Sequence, residues 1–153
     1  MTTFTLSSGL GIPPADFWAD QSLASVNYEL GPCIHMTAPA SWQTVRLADW
    51  QGGDALFRSW VLLLGVLPVD RHAFGSFAFT PETGFVEVSS SWVNRLWRHE
   101  RAVEATEGGC VVRDTVAFAP RLRLVSPILA FIYTLVFRHR HHRLKARYGG
   151  VRV

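Results

Sequence analysis

The segment from Ser126 to Tyr148 sets the terms for everything that precedes it. Ser126-Pro127 suits a helix N-cap and first helical position, and Gly149-Gly150 suits a helix end. A helix from Pro127 to Tyr148 has 22 residues and spans about 33 Å at ~1.5 Å per residue. Its first half is almost wholly apolar and needs a partner surface. Upstream, only two short helices are predicted, so that surface has to be a sheet.

The rest of the chain is punctuated accordingly. Thr2 to Ser7 suits a first strand, broken by Gly9, Gly11 and Pro13. Pro14 fits the first turn of a short helix, with Asp16 favourable near its N-terminus. Ser22 is placed to cap a second short helix, Leu23 to Leu30, which Gly31 ends. From Ile34 the pattern becomes β. Strands are predicted at Trp42 to Leu47 and at Leu56 to Leu67, the latter apolar enough to be covered on both faces over part of its length. Gly52-Gly53-Asp54 marks a turn between them, and Pro68 ends the long strand or sits at a bulge. His72–Thr80 and Phe85–Ser91 flank Pro81-Glu82-Thr83-Gly84, a hairpin. Arg95–Val103 and Cys110–Phe118 flank a second, and Pro120 stops the last strand. The fold class is α+β: a curved antiparallel sheet of about six to seven strands around a long C-terminal helix, with two short helices after strand one. A straight rod does not fill a curved trough, so a cavity between sheet and helix is expected. Nothing divides the chain, and residues 1–153 are read as one domain.

Apolar residues make up 48% and charged residues 18%, which excludes a disordered chain. The net charge of +3 conceals a division. Residues 1–114 hold seven Arg against twelve acids, a balance of −5, and residues 115–153 hold seven Arg and Lys145 with no acid, a balance of +8. The basic end is expected to cover the acidic body and to suit the helix C-terminus; an anionic membrane surface is a second reading, and nucleic acid a weaker third. Cys33 and Cys110 have no disulfide or metal spacing and are read as buried free thiols. Met1–Pro14 lacks a signal-peptide layout, and the longest nearly apolar run, Leu124–Phe137, is too short to span a bilayer. A cytosolic location is the default.

Four local patterns, in order along the chain, resemble one known family. Met36-Thr37-Ala38-Pro39 is similar to its L-T-x-P segment, and Trp97-Arg98-His99-Glu100-Arg101 to its W-x-H-x-[HR] strand. Asp114-Thr115-Val116-Ala117-Phe118 is similar to its D-x-V-x-[YF] strand. Phe137-Arg138-His139-Arg140-His141-His142-Arg143-Leu144 is similar to the F-x-x-R-H-x-x-L of its final helix. Together with the element order these resemble the START-like SRPBCC superfamily, in its polyketide-cyclase/dehydrase-like branch. The resemblance implies a helix-grip fold and a pocket. It leaves activity open, because members are mostly binders or carriers of hydrophobic small molecules, with some cyclases and aromatases. Gly65-Val66-Leu67-Pro68-Val69-Asp70 departs from the superfamily's general pattern and suggests a subgroup.

Trp97, His99 and Arg101 alternate onto one strand face and are candidates to line the pocket's polar end. Asp114 shares a face with Val112, Val116 and Phe118, so it is expected inward and in need of a partner. Phe137, Arg140, His141 and Leu144 share one helix face, which makes Arg140 or His141 that partner. Trp60, Phe77 and Phe79 are further pocket candidates. His139 and His142 are spaced to share an ion, but a third ligand is not evident and neighbouring Arg would repel a cation. No metal and no cofactor are expected. The leading reading is a binder of a hydrophobic or aromatic small molecule, with His99, Arg101 and Asp114 fixing orientation. The alternatives are a cyclase or dehydratase-like enzyme using His99 or Asp114, and a membrane- or partner-binding protein using the basic helix end.

Overall fold

The computed structural model describes residues 1–50 and 55–152. Strand β1 (Thr2–Leu10) leads into α1 (Pro14–Ala19) and α2 (Leu23–Leu30). Seven further strands follow: β2 (Ile34–Met36), β3 (Phe57–Leu63), β4 (Leu67–Thr80), β5 (Gly84–Ser91), β6 (Asn94–Thr106), β7 (Gly109–Pro120) and, after the long helix α3 (Ser126–Tyr148), β8 (Gly150–Val151). All lie in one sheet in the order β2-β3-β4-β5-β6-β7-β1-β8, with every neighbour antiparallel. No helix among the described residues is long and apolar enough to cross a membrane.

The helices begin and end for local reasons. Pro14 stands in the first turn of α1, where its missing N–H costs nothing. Ser22 is the N-cap of α2, and its N–H is taken by the Ser25 hydroxyl at 2.9 Å. Ser126 is the first residue of α3 rather than its cap, and its hydroxyl meets Thr2 Oγ1 at 2.9 Å. Gly149, at φ 76°, ends α3 and turns the chain into β8, which pairs with the end of β1.

The sheet curves where its register slips. Shifts fall between Val61 and Leu62, between Ala73 and Ser76, and between Asn94 and Leu96. Each slip bends its strand and tightens the local twist. At the second slip, a side chain on Gly75 would collide with the Val88 carbonyl, so only glycine allows β5 to approach this closely. Pro68 pairs opposite Leu62 at the first slip, the bulge position expected of it.

Two expected strands differ. Trp42 to Leu47 is not a strand: Ala40–Trp42 and Leu47–Asp49 are short 3-10 turns. Packing decides this, since Trp42 and Trp50 meet at 5.9 Å and both close on Phe57. The long strand at Leu56 to Leu67 is instead two, because Leu64 and Gly65 adopt positive φ and fold Leu63 back against Leu67. Nor is that end covered: Leu63, Leu64, Val66, Leu67 and Val69 are exposed. The turn expected at Gly52-Gly53-Asp54 lies outside the described residues. Cys110 is buried, as expected, and burial pushes its thiol pKa up. Cys33 is exposed, because it sits at the entrance to the edge strand β2.

Candidate functional site

Two apolar clusters fill the trough. One gathers Phe17, Trp18, Trp50, Phe57, Phe74, Phe77, Phe85 and Leu144 under α1 and α2; the other gathers Val116, Phe118 and Phe137 under the middle of α3. His99 stands between them, edge-on to Phe85 and to Phe137, each at 5.1 Å.

Behind His99 lies a buried ionic network. Arg101 has both edges of its guanidinium occupied. Nε and Nη2 donate to Asp114 Oδ1 and Oδ2, both at 2.8 Å, and Nη1 and Nη2 donate to Glu29 Oε1 and Oε2, both at 2.9 Å. Such paired forks are the strongest geometry a guanidinium offers a carboxylate. Arg140 closes on Glu29 Oε2 through Nε at 2.9 Å and Nη2 at 2.7 Å. His99 Nε2 meets Asp114 Oδ1 at 2.9 Å, and His141 Nε2 meets Oδ2 at 3.1 Å. The second ring nitrogen of His141 faces Ser8 Oγ at 2.8 Å. Two carboxylates thus face two guanidiniums, and their charges balance.

The ionisation states follow from this packing. Burial alone would raise the Asp114 carboxyl, but Arg101, with His99 and His141 adding to it, holds it well below the ordinary range. Burial also opposes ionisation of Glu29, and Arg101 and Arg140 overcome it. Arg101, disfavoured by burial, is held charged by Asp114 and Glu29. His99 moves the other way: burial, with Arg140 and Arg101 nearby, pushes its pKa down despite Asp114. A neutral imidazole beside an ionised carboxylate must carry its proton on Nε2. His99 Nδ1 is therefore a bare acceptor, and none of the described residues donates to it.

In front of this network is a cavity of about 310 Å³ between the sheet and α3. Its wall is mostly apolar, with Leu23, Val26, Leu30, Trp50, Phe74, Phe77, Phe85, Trp97, Leu129, Val136 and Phe137. Polar side chains enter at few places: His99, Arg101 and Arg140 at the network end, His72 and Glu87 on the sheet, and Asp70, Asn94 and Tyr133. His72 Nε2 meets Glu87 Oε1 at 2.7 Å, and the Ser89 hydroxyl donates to the same oxygen at 2.6 Å. Burial resists ionisation of Glu87, but His72 and the Ser89 hydrogen bond hold its pKa below the usual value.

The expected site residues divide. Phe77, Trp97, His99 and Arg101 line the cavity. Asp114 does not; it is fully buried behind His99 and Arg101, with both oxygens taken. Trp60 does not line it either: it meets Trp92 at 5.0 Å and Arg71 lies over its ring, because β3 alternates and Ser59 takes the inward place. Phe79 packs on Trp18 at 5.1 Å, beyond the cavity. Of the two proposed helix partners of Asp114, His141 reaches it and Arg140 goes to Glu29. His139 donates to the Gly31 carbonyl at 2.8 Å, and among the described residues no three His, Cys, Asp or Glu converge as a metal site. The basic end meets the acidic body elsewhere too, through Arg147–Asp20 at 2.9 Å.

Glu29, His72 and Glu87 were missed. Glu29 carried one signal: an acid in the last turn of a helix opposes the helix dipole, so something else must hold it. Glu87 was hidden by alternation, since β5 turns Glu87, Ser89 and Ser91 inward and leaves Val88 exposed.

A sheet gripping one long helix over a cavity is the helix-grip fold. Solved structures agree. Protein CV1439 from Chromobacterium violaceum superposes with a TM-score of 0.70 at 15% identity, over 96% of each chain. The AHSA1 protein from Silicibacter pomeroyi gives 0.64 at 14% identity, over 96% of this chain and 100% of its own. Ara h 8.0201 gives 0.53 at 18% identity, over 95% and 98%. More particularly, residues 8–148 match the profile of the family described as a domain of unknown function, DUF8410, and the chain belongs to that family. No curated protein matches it.

Proposed function

We propose that this protein binds a hydrophobic or aromatic small molecule in the cavity between the sheet and α3. The observation that carries the reading is the cavity itself: about 310 Å³, apolar on most sides, with a few polar groups at defined places. Affinity would come from apolar burial, and orientation from His99 Nδ1 as acceptor and from the His72–Glu87 pair. Arg101 and Asp114 act one step back: they fix the tautomer and position of His99.

A fluorescent apolar probe, N-phenyl-1-naphthylamine, tests this. The parent should bind it, and Val136→Trp, which fills the cavity, should weaken binding at least about tenfold while keeping the parent's circular dichroism. A parent that leaves the probe dark, or a filled variant that binds as well, overturns the reading.

A second reading is an acid–base enzyme on the same frame. It draws on two imidazoles facing one cavity, each backed by a carboxylate: His99 by Asp114 and His72 by Glu87. Turnover lost in His99→Gln or His72→Gln, with probe binding kept, would favour it.

A further inference from the structure

The first half of α3 is apolar on both sides. One side packs on the sheet through Leu129, Tyr133, Val136 and Phe137. The other holds Ile128, Phe131, Ile132 and Leu135, spaced as one helix face, and it faces water: Phe131 is 66% exposed. A helix that is hydrophobic all round is normally buried on all sides. The β3–β4 turn, between the cavity-lining Val61 and Val69, holds Leu64, Val66 and Leu67, with Val66 79% exposed. Leu64 takes a positive φ of 52° there, a conformation unfavourable to a residue with a Cβ, yet the turn carries an exposed leucine.

These two apolar lips border the cavity mouth. Val69 on one and Ile132 on the other both line the cavity, and both are partly open to solvent, at 47% and 44%. The helix lip also carries a charge pattern: from Thr115 to Val153 there is no acid, whereas Asp70 follows directly on Val69 of the other lip. The exposed helix face runs on from Leu135 into Arg138 and His142, and Arg123 stands exposed between Leu122 and Leu124.

We infer that this rim docks on an anionic lipid bilayer, with the β3–β4 turn and the Ile128–Leu135 face entering the apolar boundary and Arg123 and Arg138 meeting headgroups. Charge decides between a bilayer and a second copy of the chain. A symmetric dimer through the helix lip would set acid-free, basic-flanked surfaces against each other, whereas anionic headgroups supply the missing negative charge. The inference stands whether or not the cavity ligand is a lipid.

Co-sedimentation of the full chain with vesicles tests it. The protein should sediment with phosphatidylcholine vesicles containing one third phosphatidylglycerol, less with phosphatidylcholine alone, and less at raised salt. The variant carrying Leu64→Ser, Val66→Ser and Phe131→Ser should lose about tenfold or more of that partitioning. Its melting temperature should match the parent's, because the replaced side chains face water. The cavity-filled Val136→Trp should still sediment, which separates this inference from the binding reading. Failure of the parent to sediment, or a triple variant that sediments like the parent, overturns docking. So does a parent that is a stable dimer in solution and becomes monomeric in the triple variant.

Discussion

The two halves of α3 are held on the sheet by opposite means. Its second half is pinned by charge. Arg140 grips Glu29, His141 grips Asp114, His139 donates to Gly31, and Arg147 pairs with Asp20. Its first half rests on apolar side chains and on two polar ties to the sheet, Ser126 Oγ with Thr2 Oγ1 at 2.9 Å and Asn94 Nδ2 to Tyr133 Oη at 2.6 Å. The contrast shows how this fold can keep a space empty. Apolar packing alone would drive helix and sheet together, but directional pins at one end fix the helix position and leave the other end standing off. The cavity lies where the pins stop.

The comparison breaks most severely at Arg101. Arg101→Met removes both forks and leaves Glu29 and Asp114 buried with part of their partners gone. It should cost about 3–5 kcal/mol in urea denaturation, the usual cost of breaking a buried ion pair from one side. A loss below about 1 kcal/mol would mean that the second half of α3 is held by packing like the first. Acid should act on the same end, and on the His72–Glu87 pair of the sheet. Glu29, Glu87 and Asp114 have folded pKa values below their unfolded ones, so their stabilisation is present above the unfolded values of 4.5, 4.5 and 3.8 and is lost as pH falls through the folded values. His99 has the same sign, with loss beginning as pH drops below its ordinary 6.5. The urea midpoint should therefore fall from about pH 6.5 downward and more steeply below about 4.5. A midpoint that peaks near pH 5 would contradict this. The smallest effect belongs to the first half. Tyr133→Phe removes one of its two ties and should cost about 0.5–1.5 kcal/mol, with the second half undisturbed as read by the pH profile.

Much of this was legible in the sequence because it rests on local chemistry. Pro14, Ser22, Pro127 and Gly149 mark helix ends by backbone rules that operate within a few residues. Asp114 among Val112, Val116 and Phe118 declared an inward carboxylate that needed a partner, and helix spacing put Arg140 and His141 on the facing side. What was not legible depended on other segments. Trp42–Leu47 has β composition, but Trp50 and Phe57 draw Trp42 into a turn. Trp60 and Phe79 look like lining, yet the facing of β3 and the reach of Trp18 put them elsewhere. Glu29 is an ordinary helix residue until Arg101 and Arg140 arrive from distant strands and helix.

That arrival bears on how the chain folds. Glu29 and Arg140 are separated by 111 positions, and Arg101 lies 72 positions beyond Glu29. Contacts between such remote segments require a large loop to close before they return any energy, so they belong to the slow part of folding. During synthesis, α2 emerges long before α3, and Glu29 has to remain hydrated in the interval. The ionic centre is thus a closing step: it forms once the sheet exists and the last helix is released, and until then the trough lies open.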